Sequence, residues 1–419
     1  MTQPRHATTP TVRRRDLRAN GDRTSPGTPR HAGTRAGHRL HITAVALVGL
    51  LAFGGTAVAA TYQQLQGDVD SVDVGNLPIN TQDGETAEPP ADPNAGTALN
   101  ILIIGSDSRA DGGVDDGTTS VLADTHIIAH ISADRSRVEL VSIPRDTMVE
   151  LPACTTTSGE TIGAYFDQYN YAFADGWRIG GDIESAITCD INLAQSVTGL
   201  TMDGFVLVEM GGFIDMVDAI GGVDICIPEP IYAPKANLVL EAGQQTLNGE
   251  DALGYARART GEGLSGSDPD RIQRQQHLMS AMIDEVLSRN LLTDGPALYQ
   301  MLRAALSSLT VSSNLSSLGD MAGLALSLRS LDLADVTFMT TPYAAYEPDP
   351  NRLVFTSEVD LIWERMAADE PIVQEQPDPT DDSTGATGEP TSEESTADES
   401  ETTPDSTDGV SAGDLTPVC

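Results

Sequence analysis

The chain is predicted to fold as an α/β domain in which a central mixed β-sheet is sandwiched by helices, with an N-terminal transmembrane helix and disordered termini. Apolar runs of strand length, separated by turn-rich segments, occupy residues 100–104, 126–131 and 138–143. Segments with the apolar spacing of amphipathic helices occupy residues 184–198, 211–220 and 271–289. Interleaving of the two types is typical of layered α/β folds.

The N-terminal sixty residues predict a cytoplasmic arm followed by a membrane anchor. Residues 1–41 contain nine arginines and two acidic residues without apolar periodicity, which is typical of disorder. Residues 42–60 are uncharged and mostly apolar, close to the roughly 20 residues that a membrane-spanning helix needs. Arg35 and Arg39 precede this segment and the next basic residue is Arg109, so the positive-inside rule predicts a single-pass protein of the cell membrane with the N-terminus in the cytoplasm.

Two alternatives exist for this region. Ala57, Val58 and Ala59 form a small-x-small site, as in a cleaved signal peptide, but the basic segment before it is long for one, which favours an uncleaved anchor. An arginine-rich arm can also bind nucleic acid. Here the arm adjoins a membrane segment, so anionic lipid is the nearer partner. We therefore expect a membrane partner and no nucleic acid.

The rest of the chain divides by composition into three parts. Residues 61–98 are rich in Asp, Pro, Thr and Gly, which predicts an extracytoplasmic linker. Residues 99–366 carry the periodic segments and are long enough for a sizeable core. Residues 367–419 contain fifteen acidic and no basic residues among many Ser, Thr, Pro and Gly, so we expect a disordered tail. The formal net charge of −38 repels polyanions over most of the surface.

Against this acidic background, four arginines lie within eighteen residues: Arg257, Arg259, Arg271 and Arg274. Guanidinium groups match phosphate oxygens geometrically, so the cluster predicts a phosphate or pyrophosphate site. If residues 255–259 form a strand, Arg257 and Arg259 leave it on one face. Arg271 and Gln275 share a face of the next helix. The alternative is that these arginines pair with carboxylates on a solvated surface.

The ends of the predicted strands provide a second indication. Gly105 and Asp107 follow the first strand, and Pro144 and Arg145 follow the third, where open α/β sheets bind their ligands. No Gly-x-Gly-x-x-Gly follows the first strand, so a dinucleotide-binding fold is not supported. Asp107 has an alternative role as a turn residue whose side chain caps local backbone amides.

The four cysteines predict disulfides in an exported chain. None lies in a Cys-x-x-Cys pair, so a structural zinc site is not indicated. An even number in an oxidising compartment is typical of disulfide pairing, and three pairings are open. We favour Cys154 with Cys189, which bracket one loop and helix, and Cys226 with Cys419.

Several separated motifs, in this order and spacing, resemble the LytR-CpsA-Psr family of cell-wall glycopolymer transferases, actinobacterial type. The resemblance extends from Asn100 to about Pro342. The motifs are Ile-Gly-Ser-Asp-Ser-Arg at 104–109, Ala-Asp-Thr at 123–125, Ser-Ile-Pro-Arg-Asp at 142–146, Gly-Gly-Val-Asp at 221–224, Ala-Gly-x-Gln-x-Leu-x-Gly at 242–249, and the arginine segments at 255–259 and 271–276.

The resemblance implies an enzyme and a site. The activity is a phosphotransferase reaction of class 2.7.8, with pyrophosphatase side activity, that moves a polyprenyl-diphosphate-linked glycan donor onto a peptidoglycan acceptor. The implied catalytic residues are Arg145, Arg257, Arg259 and Asp107. The implied pyrophosphate contacts are Arg145, Arg257, Arg259, Arg271, Gln275 and Arg109. Asp107 and Asp124 match a carboxylate pair that holds Mg²⁺ (or Mn²⁺), and two carboxylates suffice because phosphate and water complete the shell.

The sequence leaves the donor class, the lipid-contacting residues and the function open to alternatives. Gln168 and Leu122 stand where family members often have basic residues, which affects donor affinity or class more than the reaction. Candidate walls for the lipid are Leu193, Val197, Leu200, residues 213–217 and the helix stripe 272–286, although each of these also fits a plain core. A non-catalytic polyprenyl-phosphate-binding module and glycan transfer to a surface protein are the alternative functions. The sequence does not identify the polymer.

Overall fold

A computed structural model describes residues 70–72, 92–107, 121–288, 309–373, 409–415 and 419. The strands are β1 Asp70–Val72, β2 Leu99–Ser106, β3 Ala123–Ile131, β4 Val138–Ile143, β5 Met148–Leu151, β6 Cys154–Thr155, β7 Thr161–Ile162, β8 Tyr165–Gln168, β9 Gly204–Glu209, β10 Val223–Ile227, β11 Ile231–Ala233, β12 Leu238–Leu240, β13 Gly243–Leu247, β14 Leu309–Ser312, β15 Val336–Thr340, β16 Tyr343–Tyr346, β17 Asp349–Phe355 and β18 Val410–Ser411. The helices are α1 Tyr171–Gly180, α2 Ile183–Thr198, α3 Met210–Ala219, α4 Gly249–Arg257, α5 Asp268–Ser288, α6 Leu318–Ser327 and α7 Glu358–Ala367. Short 3₁₀ turns occupy Pro234–Ala236, Ser313–Leu315 and Leu333–Asp335.

Eight strands form one mixed sheet in the order β1-β14-β9-β2-β3-β4-β15-β18. The pairs β1/β14, β2/β9 and β4/β15 are parallel, whereas β14/β9, β2/β3, β3/β4 and β15/β18 are antiparallel. The three strands predicted from the sequence form its centre. The predicted fold class is therefore confirmed in its described part.

Alternate residues of the central strands pack into cores on opposite faces, because successive strand side chains point to opposite sides. Leu102, Ile104 and Ile128 pack on one face with residues of α1, α2 and α7. Ile101 and Ile127 pack on the other face, which α5 covers through Met279 and Ile283. A third cluster joins α3, α4 and α5 to the hairpins β10/β13 and β11/β12. The helix α5 thus lies between the sheet and this subdomain.

The predicted helices at 184–198 and 211–220 correspond to α2 and α3 within one residue. Helix α5 begins at Asp268, three residues before the predicted start at 271. Acidic residues in its first turn, Asp268 and Asp270, favour the positive end of the helix dipole and explain the earlier start.

The ordered domain begins before residue 99. The guanidinium of Arg135 donates to Asp92 Oδ2 at 2.8 Å and to the carbonyl oxygens of Asn94 at 2.7 Å and Thr97 at 2.9 Å. Residues 70–72 pair with β14 as an edge strand. Parts of the predicted linker therefore belong to the domain, because a buried arginine supplies hydrogen bonds that composition does not reveal.

The predicted disordered tail also differs from the structure at its two ends. Ile372 is buried, and its N–H donates to Glu139 Oε1 at 2.8 Å. Val410–Ser411 forms the edge strand β18 against β15, and Ala412 is fully buried. The free edge of β15 supplies the hydrogen bonds that order this short segment. Residues 374–408 lie outside the described residues.

Both favoured disulfides are present: Cys154–Cys189, with Cα atoms 5.4 Å apart, and Cys226–Cys419, with Cα atoms 5.7 Å apart. The predicted anchor at 42–60 and the arm at 1–41 lie outside the described residues. In the ranges that the structure describes, we find no helix of sufficient length and apolarity to cross a bilayer.

Candidate functional site

The predicted site residues meet at one end of the central sheet. Because β3 is antiparallel to both β2 and β4, the end of each of these strands lies beside the start of β3. The segments after Ser106 and after Ile143 therefore adjoin the first residues of β3. This topology places Asp107, Asp124 and Arg145 at one edge of the sheet, as the strand-end argument predicted.

Close packing of β2 on β3 shapes this edge. A Cβ atom at Gly105 would lie 2.9 Å from Thr125 Cβ, so glycine is needed for the strands to approach. Beyond a bulge at Ser106, the N–H of Asp107 donates to the carbonyl of Leu122 at 3.0 Å, and the N–H of Leu122 donates to Asp107 Oδ1 at 2.6 Å. One carboxylate oxygen of Asp107 thus has the backbone-capping role that was the alternative to metal binding.

Arg257 lies in the last turn of α4, so residues 255–259 do not form the strand that was considered for them. Asn248 caps this helix through its side chain, and two acidic residues follow in the first turn. These signals outweigh the period-two pattern of residues 255–259. The chain turns at Ala258, whose carbonyl accepts a hydrogen bond from Arg274 on α5. Arg257 and Arg259 therefore do not project from one face of a strand.

Arg271 and Gln275 share one face of α5, as predicted, and both contact the start of β3. Arg271 Nη2 donates to the carbonyl of Asp124 at 2.7 Å. Gln275 Nε2 lies 3.1 Å from Thr125 Oγ1 and 3.1 Å from the carbonyl oxygen of Ala256. Gln275 therefore connects β3 to α4 as well as facing the cleft.

Two of the arginines belong to a network of paired charges. Asp268 Oδ1 is 2.6 Å from Arg271 Nη2 and 3.7 Å from Arg145 Nε, and Asp268 Oδ2 accepts from the backbone N–H of Arg145 at 3.1 Å. Arg145 also pairs with Asp124, and Arg271 Nη1 lies 3.6 Å from Asp124 Oδ2. Two arginines and two carboxylates thus alternate across the junction of β3, β4 and α5.

Asp146 holds a second set of arginines. Its Oδ2 is 3.1 Å from Arg259 Nη2, and its Oδ1 is 3.2 Å from Arg352 Nη1. The Asp146 side chain is only 8% exposed, whereas those of Arg259 and Arg352 are 28% and 33% exposed. A buried carboxylate therefore anchors two guanidinium groups that keep part of their surface in solvent. Asp146 also pairs with Arg145, at a longer distance of 3.8 Å.

Burial controls the protonation of this network. Burial raises the pKa of the carboxyls of Asp268 and Asp146, although neighbouring arginines act against it. Burial also lowers the pKa of Arg271. For Arg145, burial lowers the pKa, but the charges of Asp124, Asp146 and Asp268 outweigh burial and raise it. The arginines are therefore held charged by carboxylates that are themselves poorly solvated.

A cavity of about 160 Å³ opens beside these groups, and we call it the first cleft. The polar groups that line it include Asp107, Asp124, Glu209, Arg257, Arg271 and Gln275. The apolar wall consists of Ile103, Ile127, Val208, Phe213, Leu253, Leu278 and Met279. The cleft therefore combines charged hydrogen-bonding groups with apolar side chains.

The predicted lipid-contacting residues divide between this wall and the core. Phe213 and, within the helix stripe, Leu278 and Met279 line the first cleft. Leu193 and Leu200 are instead buried in the core on the other face of the sheet, because α2 packs there. Periodicity alone does not distinguish the two faces of a sheet, which is why the sequence left a plain core open as the alternative for these residues.

Of the predicted site residues, five line the first cleft and Arg145 reaches it through Asp124. Arg259 lies on Asp146 beside it, and Arg109 lies outside the described residues. Asp268 and Arg352 were not predicted from the sequence. Asp268 stands three residues before Arg271, a spacing that signals a helical ion pair. Arg352 gives no local signal, since its partner Asp146 is 206 residues away.

The predicted metal ligands, Asp107 and Asp124, are brought to the same cleft. Across the described part of the chain, no group of three or more His, Cys, Asp or Glu side chains is arranged to hold a metal ion. Mg²⁺ takes carboxylate, phosphate and water oxygens, so the pair fits this ion when a bound phosphate completes the shell. The cation would compete with Arg145 and Arg271 for Asp124.

The fold and the site define an α/β domain in which two arginines and apolar side chains line one cleft. The model of the LytR_cpsA_psr family matches residues 60–367, and the chain belongs to this family. The cell wall biosynthesis protein LcpA of Corynebacterium glutamicum is 30% identical over 353 residues, covering 78% of this chain and 65% of LcpA. The probable cell wall biosynthesis protein LcpB of the same organism is 33% identical over 266 residues, covering 61% of this chain and 58% of LcpB.

The chain thus spans less than two thirds of either of these relatives. The polyisoprenyl-teichoic acid–peptidoglycan teichoic acid transferase TagV of Bacillus subtilis is 29% identical over 171 residues, covering 40% of this chain and 39% of TagV. Among solved structures, a Streptococcus agalactiae protein has a TM-score of 0.51 at 18% identity, covering 65% of this chain and 87% of its own. A LytR-Csp2A-Psr enzyme from Actinomyces oris has a TM-score of 0.48 at 21% identity, covering 71% and 95%.

Proposed function

We propose that the protein is a membrane-anchored phosphotransferase that moves a polyprenyl-diphosphate-linked glycopolymer onto a sugar hydroxyl of peptidoglycan. The observation that carries this proposal is the composition of the first cleft, where Arg257, Arg271 and Gln275 adjoin a wall that includes Phe213 and Met279. A polyprenyl diphosphate has the same two parts, an anion and an apolar chain. The names of the relatives, which include teichoic acid transferases, support the same substrate class.

In the proposed reaction, the acceptor hydroxyl oxygen attacks the phosphorus that carries the glycan. The bond between this phosphorus and the bridging oxygen breaks, and polyprenyl monophosphate leaves with the electron pair. The proton of the hydroxyl passes to solvent. The product is a phosphodiester between glycan and peptidoglycan, so one polyprenyl monophosphate is released for each glycan transferred.

The arginines supply charge stabilisation for this step. Preorganised donors that face a developing anion account for much of enzymatic rate enhancement. Arg257 and Arg271 line the cleft, and Arg145 is linked to it through Asp124. Because Asp268 holds Arg145 and Arg271 in place, these two arginines need little reorganisation when the diphosphate binds. Arg259 provides a further guanidinium at the side of the cleft.

We further propose Mg²⁺ (or Mn²⁺) as the cofactor, held by Asp107 and Asp124 together with diphosphate oxygens. A divalent cation there stabilises the charge of the leaving lipid phosphate. Asp107 uses one oxygen to accept from the Leu122 N–H, which fixes the carboxylate at the cleft. In the absence of ligand, Arg145 and Arg271 pair with Asp124 and balance its charge.

The proposed location is the cell membrane, with the arm 1–41 in the cytoplasm, residues 42–60 as the anchor and the domain outside. The two disulfides support an oxidising compartment for the domain. Protease added to intact, wall-stripped cells should remove the domain and leave the arm protected. A mature N-terminus at Ala60 would show that the segment is a cleaved signal peptide.

The function is tested by deletion of the gene and complementation. We expect the deletion strain to lose one glycopolymer from the wall and release it into the medium, and the identity of that polymer defines the donor. Wild type and Arg178→Ala should restore attachment, since Arg178 is an exposed residue on α1 that pairs with Asp175. Arg257→Ala should not restore it. Restoration by Arg257→Ala would contradict the assignment of the site.

Product analysis distinguishes the proposed transferase from the alternative, a non-catalytic wall-anchoring module. A transferase that also has pyrophosphatase activity releases inorganic phosphate from a polyprenyl diphosphate, whereas a binding module releases nothing. If the glycan is found on a surface protein instead of on peptidoglycan, the acceptor assignment is wrong and the donor assignment stands.

A further inference from the structure

A second cavity, of about 700 Å³, lies on the other side of helix α5. We call it the second cleft. Arg271 and Gln275 of α5 line the first cleft, whereas Asp270, Gln273, Arg274 and His277 line the second. The first two turns of α5 therefore separate two binding-sized cavities. A transfer reaction between two large substrates needs two binding sites of this kind.

One wall of the second cleft comes from the C-terminal segment, through Val410, Asp414 and Leu415. This segment is fixed at several points. The N–H of Ala412 donates to the carbonyl of Val336 at 2.8 Å, and Ser280 Oγ on α5 donates to the carbonyl of Ala412 at 2.6 Å. The disulfide Cys226–Cys419 closes the chain onto the domain beyond it. The wall is thus part of the fold.

The second cleft is more acidic than the first and holds one arginine where the first holds two. Its lining contains three acidic residues, Glu229, Asp270 and Asp414, against one arginine, Arg274, so its formal charge is −2 with the histidine neutral. A diphosphate is therefore disfavoured there. A ligand that carries a positive amino group is favoured, because opposite charges across an interface are complementary.

The remaining lining suits a saccharide. Tyr343 is half-buried at the cleft, which leaves part of its ring to stack on a sugar. At the floor, the hydroxyl of Tyr255 lies 3.2 Å from His277 Nδ1, and both residues line the cavity. Gln273 is an exposed amide on the same face of α5. Aromatic and amide groups together contact the apolar faces and the hydroxyls of sugars.

The second cleft is connected to the arginines of the first. Arg274, which lines the second cleft, donates to the carbonyl of Ala258. Ala258 stands between Arg257 of the first cleft and Arg259 beside it. A ligand that contacts Arg274 therefore touches the residue that fixes the turn carrying both arginines.

We infer that the second cleft binds the acceptor, as a glycan strand whose attached peptide bears a free amino group. This inference rests on the proposed transferase function, and it assigns the second substrate of that reaction to residues of its own. The acceptor hydroxyl then reaches the diphosphate around the N-terminal end of α5. The C-terminal segment 409–415 is an acceptor-binding element.

The test measures binding of a soluble disaccharide–peptide fragment of peptidoglycan with a free amine to the detergent-solubilised full chain. Asp414→Lys places a like charge near the amine, and Tyr343→Ala removes a stacking surface. Each change should weaken binding by roughly tenfold. Glu364→Lys is the matched control, since this exposed residue lies on α7, on the opposite face of the sheet. It should bind as wild type does.

Acetylation of the fragment's amine should weaken binding to wild type and leave binding to Asp414→Lys unchanged. All variants should bind a short-chain polyprenyl diphosphate as wild type does, and in transfer assays the two cleft variants should raise the KM for acceptor with little change in kcat. Unchanged fragment binding in both cleft variants would overturn the inference. If wild type transfers nothing while cleft-dependent fragment binding is observed, the proposed reaction fails and the binding assignment stands.

Discussion

The carboxylate of Asp268 lies 2.6 Å from the guanidinium of Arg271, and the two side chains are only 2% and 3% exposed. The same carboxylate accepts a hydrogen bond from the backbone N–H of Arg145 at 3.1 Å. One buried residue therefore positions two of the arginines implied in pyrophosphate binding. Loss of either partner leaves a poorly solvated charge, which makes this pair sensitive to pH and to substitution.

The pH dependence of stability should show this burial. Because burial raises the folded-state pKa of Asp268 above its unfolded value, the favourable contribution of protonation is fully present below the unfolded pKa, near 4, and is lost as the pH rises through the folded pKa. Relative to Asp268→Asn, wild type should gain stability as the pH falls from about 7 toward about 4. Denaturant unfolding of both proteins across this range gives the difference.

Asp134 provides a control of opposite sign. Hydrogen bonds from Ser136 and Ser132 lower its pKa to about 2, so its contribution is present above the unfolded pKa and is lost as the pH falls through the folded pKa. Wild type should therefore lose stability relative to Asp134→Asn between pH values of about 4 and 2. The account of Asp268 is wrong if wild type also loses stability relative to Asp268→Asn on acidification toward pH 4.

The sequence predicted the centre of the fold because its signals are local. Strand-length apolar runs gave β2, β3 and β4, and helical spacing gave α2, α3 and α5. Residues 255–259 allowed a strand because alternating Ala and Arg resemble one, while the cap at Asn248 that starts the helix lies several residues earlier. The strand Val410–Ser411 has no local signal, since the free edge of β15 and the buried Ala412 determine it.

The site was predictable to the extent that its members carry charge in short motifs. Asp107, Asp124, Arg257, Arg271 and Gln275 were all predicted, and all line one cleft. Arg352 was not predictable, because it reaches Asp146 only through the pairing of β17 with the chain after β4. Which apolar residues contact a ligand also depends on tertiary packing, as the placement of Leu193 in the core shows.

Arg257→Ala and Arg259→Ala should each cost about 2–4 kcal/mol of transition-state stabilisation, as expected for loss of one preorganised donor to a developing anion. Initial rates of transfer at subsaturating donor measure this cost. Lysine at either position should restore only part of the rate, since an ammonium group does not form the two-pronged contact. Full activity in both alanine variants would place the site elsewhere.

Arg259→Ala should also lower the stability of the fold. Arg259→Ala removes one of the partners of the buried carboxylate of Asp146 and should lower the free energy of unfolding by about 1–3 kcal/mol. Asp146→Asn should relieve this effect when combined with Arg259→Ala, which a double-mutant cycle of denaturant midpoints measures. Independent, additive effects of the two changes would show that the ion pair contributes little.

Asp107→Asn should separate the metal role from the turn role. Asparagine keeps an oxygen acceptor for the Leu122 N–H, so the melting temperature should stay close to that of wild type. It loses the charge that holds a divalent cation, so Mg²⁺-dependent turnover should fall steeply. Chelator-insensitive turnover together with unchanged activity in this variant would exclude the metal role.

The disulfide Cys226–Cys419 should matter for the C-terminal segment. It closes a loop of 193 residues, for which the chain-entropy model gives roughly 5 kcal/mol of stabilisation as an upper figure. The double variant Cys226→Ala, Cys419→Ala should lower the melting temperature and increase hydrogen exchange at Ala412. An unchanged exchange rate would show that the pairing of β18 with β15 suffices to hold the segment.

Reconstituted transfer tests the central claim most directly. The full chain in detergent is mixed with Mg²⁺, insoluble peptidoglycan and a polyprenyl diphosphate whose glycan is labelled. We predict that labelled glycan on peptidoglycan and free polyprenyl monophosphate appear in equal amounts, and that both fall together in Arg257→Ala but not in Arg178→Ala. Tight donor binding by wild type with no release of polyprenyl monophosphate would contradict the account.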